Sequence, residues 1–299
     1  MERRDFLQGS LALGFGGVLT KVNITEDEKQ KPVLTIAHIT DVHIKASDNI
    51  PKRAAGYLKK ALSAHEVNFI LNGGDAIFDA SYEDVTREMV TKQWAVWDEF
   101  ISGTNLEVYS CIGNHDPWWK APSESDEMYG LNYAAKRLKM PHRYYSFDKK
   151  GWHFIILDGN QKGTRLDVQQ MDWLKNDLAK LQPNTPVLIM SHYPILSSTC
   201  AWSGGQHGDY KELKSLFFQH RDKVKVCLSG HQHLADEVSY NGISYFCNGS
   251  LSGFWWGEGD KESAGKYYYQ ETPPGYAIMN LYADGNVENQ YNSLEKNDR

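Results

Sequence analysis

Five times along this chain a short apolar run is followed at once by acids, histidines, an asparagine or a glycine, and that recurrence limits the folds open to it. The runs lead into Asp41-Val42-His43, Gly74-Asp75, Gly113-Asn114-His115-Asp116, Ser191-His192 and Gly230-His231-Gln232-His233. Short apolar runs bounded by polar residues and glycine read as buried strands. Carboxylates, imidazoles and an amide are thereby delivered to the ends of several parallel strands, where open α/β sheets place their ligand crevices.

From Val33 onward strand and helix alternate, with no low-complexity linker and no repeat. The segments from Val33 to Ile39, Val67 to Leu71, Leu106 to Ile112, Val187 to Met190 and Val224 to Leu228 are the expected buried strands. Helices are expected from Pro51 to His65, from near Ser81, where Ser81 and Asp84 have capping-box spacing, from Asp167 with Gln170 as far as Leu181, and near Tyr210 to Gln219. Segments from Tyr144 to Phe147 and His153 to Leu157 flank Lys149-Lys150-Gly151 as a hairpin. Beyond Leu228 the period changes to alternation, with Asn241-Gly242 and Asp284-Gly285 as turn signals, so the C-terminal stretch adds antiparallel strands. The fold class inferred is α/β: two mixed β-sheets packed face to face as a sandwich with helices outside, in one domain from residue 31 to 299.

The 299 residues, 41% of them hydrophobic, suffice for a sizeable core. A formal net charge of -6 with no Lys/Arg run argues against a nucleic-acid polymer as partner, because such binding is driven by neutralising phosphates. Phosphate is then met locally, by metal. Cys111, Cys200, Cys227 and Cys247 have neither C-x-x-C spacing nor the density of a disulfide scaffold, and read as free thiols. Residues 1–22 hold Arg3-Arg4-Asp5-Phe6-Leu7 ahead of a weakly apolar, Gly-rich stretch from Leu11 to Leu19, similar to a bacterial twin-arginine export signal. That stretch is too short for a stable membrane span. The expected location is periplasmic or secreted, with the cytoplasm as the alternative if this segment is an ordinary N-terminal helix.

Asp, His and Asn without thiolate offer mixed oxygen and nitrogen donors, which suits Mn, Fe, Zn or Co better than a calcium cage or a thiolate zinc site. A carboxylate such as Asp75 can bridge two ions. Two ions about 3.5 to 4 Å apart can clamp the attacking and leaving oxygens of a displacement at phosphorus and acidify a water between them. The expected reaction is hydrolysis of a small-molecule phosphoester.

The ordered set D-x-H, G-G-D, G-N-H-D, S-H and G-H-x-H, from Asp41 to His233, resembles the calcineurin-like metallophosphoesterase superfamily. The resemblance implies that fold's four-layer α/β/β/α sandwich. It implies that Asp41, His43, Asp75 and His233 hold a first metal and that Asp75, Asn114, His192 and His231 hold a second, with Asp75 as the bridge. His115 takes the place of the family's proton donor or phosphate-contacting histidine, and Asp116 stands next to it as the group that orients its ring or, alternatively, caps the following segment. In the implied mechanism a metal-bridging hydroxide attacks phosphorus, Asn114 and the metals steady the equatorial oxygens, and His115 protonates the leaving alkoxide. Purple acid phosphatases are expected to show D-x-G in the first block and a tyrosine three residues after the G-D aspartate; His43 and Phe78 stand there instead, pointing to the branch that includes cyclic-nucleotide phosphodiesterases. Diester hydrolysis is favoured. The alternatives are a phosphomonoesterase or nucleotide pyrophosphatase of the same superfamily and, from another class, a non-catalytic phosphoryl-binding protein.

Trp118 and Trp119 follow the G-N-H-D block, and Phe254-Trp255-Trp256 follows Asn248-Gly249. These rings either stack on substrate at the site mouth or pack beneath the loops. His207, in the Gly-rich loop from Ser203 to Gly208, is a candidate substrate contact. The sequence leaves the oligomeric state open.

Overall fold

Strands that are apolar on both faces need cover on both sides, and the fold supplies it with four layers. The computed structural model describes residues 31–45, 58–252 and 271–294. One sheet has the strand order β11-β10-β1-β2-β3, built from β1 (Leu34–Ile39), β2 (Phe69–Asn72), β3 (Val108–Ser110), β10 (Gly275–Leu281) and β11 (Val287–Ser293). The other runs β4-β5-β6-β7-β9-β8, from β4 (Tyr145–Lys149), β5 (Trp152–Ile156), β6 (Val187–Met190), β7 (Val224–Ser229), β8 (Asp236–Tyr240) and β9 (Ile243–Cys247). β1, β2 and β3 are parallel, as are β5, β6, β7 and β9, so the loops that follow each set leave the sheet at one edge.

Period-two alternation sorts each strand's side chains between two cores. Leu34, Ile36, Phe69 and Leu71 meet Phe154, Leu188, Met190 and Val226 between the sheets. Ala37, Ile39 and Ile70 face outward against Val90, Trp94 and Trp97 of helix α1 (Arg87–Ser102). Ile155, Val187 and Ile189 face outward on the second sheet under Leu174 and Leu178 of α3 (Val168–Lys180) and Leu213 and Phe217 of α4 (Tyr210–Gln219). Each such fully buried aliphatic or Phe side chain contributes about 1.5–3 kcal/mol.

The expected strands, the three hairpins and the helix capped by Asp167 are all present; the Asp167 carboxylate accepts from the Gln170 N–H at 2.8 Å. Two of the hairpin turns rest on left-handed pairs, Lys150 (φ 49°) with Gly151 (φ 85°) and Asn241 (φ 56°) with Gly242 (φ 76°), and the third has Gly285 at φ 88°. The helix expected near Ser81 starts later. Thr86 is its N-cap, accepting from the Met89 N–H, whereas the Ser81 hydroxyl donates to the Pro117 carbonyl at 2.6 Å. Helix α2 (Gly130–Arg137) was not expected: it is short, lacks a side-chain cap and buries only Gly130, Ala134 and Ala135. A single helical turn, Cys200–Ser203, was not expected either. Of the helix placed from Pro51 to His65, residues 58–64 are helical and residues 46–57 lie outside the described residues.

Candidate metal centre

The loop after β1 continues the sheet's pairing beyond the strand. Asp41 N donates to Gly74 O at 3.0 Å, His43 N to Asp75 O at 3.0 Å and Ile44 N to Ala76 O at 3.1 Å. Asp41, His43, Asp75, His231 and His233 all have positive φ, between 48° and 69°, in the left-handed region that non-glycine residues seldom adopt. Such strain costs of order 1–3 kcal/mol per residue and persists where the surroundings over-determine it. These residues belong to the first, second and fifth blocks, whose side chains converge. The glycines of the blocks admit this crowding: a Cβ on Gly113 would lie 2.0 Å from Asp75 Oδ1, and one on Gly230 would lie 2.4 Å from Asp41 Oδ2.

Two ring nitrogens, His43 Nε2 and His233 Nε2, face each other at 3.1 Å, with Asp41 Oδ1 3.0 Å from the second and 3.8 Å from the first. Nearby the pattern repeats: His192 Nε2 lies 3.3 Å from Asp75 Oδ2, 2.9 Å from Asn114 Oδ1 and 3.2 Å from His231 Nδ1. The donor atoms of Asp41, His43 and His233 fall within 4.8 Å of one another, as do those of Asp75, His192 and His231; His43, Asp75 and His115 form a third such group that joins the two. Converging lone pairs of imidazole and carboxylate are the arrangement a cation satisfies, and the set contains no thiolate. Cys247 Sγ instead donates to the Gly230 carbonyl at 3.1 Å. The residues present therefore fit two bound cations sharing Asp75, each with mixed oxygen and nitrogen donors.

Protonation supports the same assignment. Burial lowers His231 to about 3 and His43 to about 4, which leaves both rings neutral as ligands must be. Burial also works against charge on His192, but the adjoining Asp75 carboxylate outweighs it and lifts that ring to about 9. Burial would raise the Asp75 carboxyl, yet His192 and its neighbours hold it well below the usual range. The His192 proton thus occupies the place that a cation beside Asp75 would take. His192 Nδ1 donates to the Gly73 carbonyl at 2.8 Å, which orients the ring from behind.

His115 stands at the rim. Its Nδ1 lies 2.7 Å from the Phe78 carbonyl oxygen and 2.9 Å from Asp79 Oδ2, both acceptors, so that nitrogen carries a proton and Nε2 turns to the site, 4.0 Å from Asp75 Oδ2. Burial opposes its charge, but the Asp79 hydrogen bond prevails and raises it to about 9. Asp79 is clamped in turn by Gln93 of α1, whose amide donates to the Asp79 carbonyl at 3.0 Å. Sequence reasoning missed Asp79; an acid four residues beyond Asp75 was its only signal.

The orienting role expected for Asp116 therefore falls to Asp79. The Asp116 carboxylate accepts from the backbone N–H groups of Asp75 at 3.0 Å, Ala76 at 2.8 Å and Gly113 at 2.8 Å, and so ties the β2 and β3 loops together. Burial and the Asp75 charge push this carboxyl up to about 6.

Among the expected substrate contacts, Trp118 is 2% exposed and belongs to the core under α1, the packing alternative. His207 is fully buried, its Nδ1 paired with the Asp209 carboxylate, and a substrate cannot touch it in this conformation. Trp119 is 41% exposed, set edge-on to Tyr129. Trp255 and Trp256 lie outside the described residues, as does the segment 1–22. A cavity of about 170 Å³ opens on the centre, lined by Asp75, His115, Ser203, His231, Gln232 and His233 among others. A larger one of about 900 Å³, beside Lys136, Lys139 and Arg143, holds none of the expected ligands; donor chemistry rather than volume marks the site. No helix among the described residues is long and apolar enough to cross a membrane.

Comparison with known proteins follows the same lines. A 3′,5′-cyclic-nucleotide phosphodiesterase of Nostoc sp. is 24% identical over 270 residues, covering 86% of this chain and 91% of its own length. Purple acid phosphatase 23 of Arabidopsis thaliana is 26% identical over 194 residues, 59% of this chain, and this chain spans only 40% of that protein. A dimetal phosphatase from Danio rerio superposes with a TM-score of 0.60 at 15% identity, covering 88% of this chain and 100% of the other, a likeness of fold. The profile of the calcineurin-like phosphoesterases matches residues 34–235, which contain all seven donors and His115. The chain belongs to the calcineurin-like phosphoesterase family and is a phosphoester hydrolase.

Proposed function

We propose that this protein hydrolyses small-molecule phosphodiesters in a cation-dependent reaction, with His115 as the proton donor to the leaving oxygen. The observation that carries the reading is the His115 ring: one nitrogen is held by Asp79 and the Phe78 carbonyl, and the other lies 4.0 Å from Asp75 Oδ2 in a side chain that lines the cavity. A general acid of this kind matters most when the departing alkoxide is strongly basic, as in alkyl and cyclic diesters.

Asp41, His43, Asp75 and His233 would hold one cation and Asp75, Asn114, His192 and His231 the other, with Mn, Fe, Zn or Co as the matching metals. Bound there, two such ions supply Lewis acidity toward the phosphoryl oxygens and lower the pKa of a water that serves as nucleophile. The protein's own part is positional and protonic. Asn114 sets its amide beside the phosphoryl group, Asp79 keeps the His115 proton on Nδ1 and favours the charged ring, and Nε2–H is delivered to the leaving oxygen. The left-handed backbone at five ligand positions keeps this geometry in place before substrate arrives.

His43 in the first block and Phe78 in place of a tyrosine favour the diesterase branch over an iron-tyrosinate phosphatase, and the name of the Nostoc relative supports a cyclic nucleotide as one substrate to try. Monoester and nucleotide pyrophosphate cleavage are the alternatives. Residues 31–299 are read as one catalytic domain, and residues 1–22 as a twin-arginine-like segment directing the protein to the periplasm or beyond. The test is hydrolysis of bis-p-nitrophenyl phosphate and p-nitrophenyl phosphate by metal-reconstituted protein, followed by a panel of cyclic nucleotides. Turnover of the diester above the monoester is expected; monoester turnover alone would overturn the diesterase reading, and neither would restore the binding-protein alternative.

A further inference from the structure

Ser203, Gly205 and Gln232 line the cavity of about 170 Å³ over the centre together with Asp75, His231, His233 and His115, and the reaction as proposed gives none of the three a part. They form one device. Gln232 stands between His231 and His233, is 2% exposed, and donates from its amide to the Gly204 carbonyl at 2.9 Å, while its amide oxygen accepts from the Ser203 hydroxyl. Gly204 and Gly205 have φ of 75° and 74°, and a Cβ on Gly205 would lie 2.6 Å from Gln232 Nε2 and 2.7 Å from His231 Nε2. A residue without a side chain is what lets the backbone come this close. The stretch is anchored on both flanks. Ahead of it, Asp236 Oδ2 accepts from the Ser197 hydroxyl at 2.6 Å, the Ser198 hydroxyl at 2.8 Å and the Thr199 N–H at 2.9 Å. Behind it, the His207 N–H donates to the Pro194 carbonyl at 2.8 Å and the Gly208 N–H to the Thr164 carbonyl at 2.7 Å.

We infer that this wall, from Ser203 to Gly205, limits the size of the ester arm that stays on phosphorus, and that Gln232 is the positioning residue that holds the wall in place. The inference rests on the reading of the centre as a diesterase. Once the cations take the phosphoryl oxygens and His115 serves the leaving oxygen, the second ester arm is what remains, and the cavity lining left to meet it is Ser203, Gly205 and Gln232. The space is small, since clefts that enclose a whole small-molecule ligand run from roughly 300 Å³ upward. Backbone fixed at both flanks and bonded twice to Gln232 does not retreat as a flexible side chain would, so extra carbons on that arm press on a packed surface. Compact alkyl diesters are therefore better substrates than bulky ones with the same leaving group.

The test compares methyl p-nitrophenyl phosphate with cyclohexyl p-nitrophenyl phosphate on metal-reconstituted protein. In both, the oxygen of water joins phosphorus, p-nitrophenolate departs with its electron pair and the alkyl monoester remains, so the help given by His115 cancels in their ratio. After division by the ratio of the uncatalysed rates, the methyl ester should be favoured in kcat/KM by roughly 5- to 100-fold, the scale on which extra carbons forced against a packed surface weigh. Gln232→Ala should cut this preference by roughly 3-fold or more, chiefly through a lower KM for the cyclohexyl ester, and Ser203→Ala should cut it by a smaller factor. Phe218→Ala, which removes an exposed ring from α4 over the other sheet, should leave it as it was. Elemental analysis accompanies each variant; where Gln232→Ala loses cation, Ser203→Ala decides. A corrected ratio near one in the unaltered protein would overturn the inference, as would a preference left intact because the variants slow both esters equally, the sign of a merely structural role. If neither diester nor bis-p-nitrophenyl phosphate turns over, the functional reading fails, and the ratio of Kd values for methyl and cyclohexyl phosphate by calorimetry, in unaltered protein and in Ser203→Ala, then decides the wall by itself.

Discussion

Asp75 and His115 divide the chemistry at the scale of single residues. Asp75 has one oxygen 3.3 Å from His192 Nε2 and 3.8 Å from His43 Nε2, while its other oxygen accepts from the His115 backbone N–H at 2.8 Å. Asp75→Asn should therefore lose cation at both positions, whereas Asn114→Ala should weaken only the position shared with His192; elemental analysis of the purified variants checks this, and an Asp75→Asn protein with both ions bound would refute the bridge. Asp79 acts through His115. Asp79 raises that ring, so if the ring works as the protonated donor proposed for it, Asp79→Asn should move the alkaline limb of the kcat/KM profile to lower pH. It should also depress turnover of an alkyl diester on the order of 10- to 100-fold, with a much smaller loss on a p-nitrophenyl ester. Equal losses on the two would assign Asp79 to folding or to metal retention instead. Of this pair, His115 was legible from its place in G-N-H-D; Asp79 was not, because the residues between it and Asp75 have no periodicity that says which way a loop carboxylate points.

At the scale of elements the strands were legible and the connections were not. Runs such as Val187–Met190 are apolar on both faces, and only a strand covered on both sides accommodates that, so sequence and structure agree. Ser81 and Asp84 had the right spacing for a cap, but the Ser81 hydroxyl is engaged with Pro117 across the site loops and Thr86 caps α1. Tertiary contacts override local signals at such positions. Helix α2 left no trace because its eight residues bury little and carry no side-chain cap. Asp116 shows how elements are joined. Asp116→Ala strands the buried N–H groups of Asp75, Ala76 and Gly113 and the more distant one of Ile77 at a cost of roughly 3 kcal/mol or more, so Tm should fall by about 5–10 °C in a calorimetric scan. A thermally unchanged variant would show that the β2 and β3 loops are held by something else.

Across the whole molecule, one ion-paired histidine couples an outer layer to pH. His153 on β5 is buried between Asp148 at 2.7 Å and Asp177 of α3 at 2.9 Å. Burial opposes its charge, but the two carboxylates raise it above the ordinary value near 6.5. A folded value above the unfolded one means that the stabilisation is full below the unfolded value and is lost as pH rises through the folded one. The Tm difference between the unaltered protein and His153→Gln should accordingly be larger at pH 6 than at pH 9; a difference that does not change with pH would show the pairs to be inert. On the proposed reading, the loops that follow the parallel strands would hold seven donors around two points that share the Asp75 carboxylate, and the candidate groups of His and Asp lie there. The most direct test of that arrangement is a titration of metal-stripped protein with Mn, following bound metal and bis-p-nitrophenyl phosphate hydrolysis in the same samples. Activity should rise to saturation only as occupancy approaches two ions per chain and should vanish on chelation; full turnover with less than one ion per chain would contradict a shared two-cation centre.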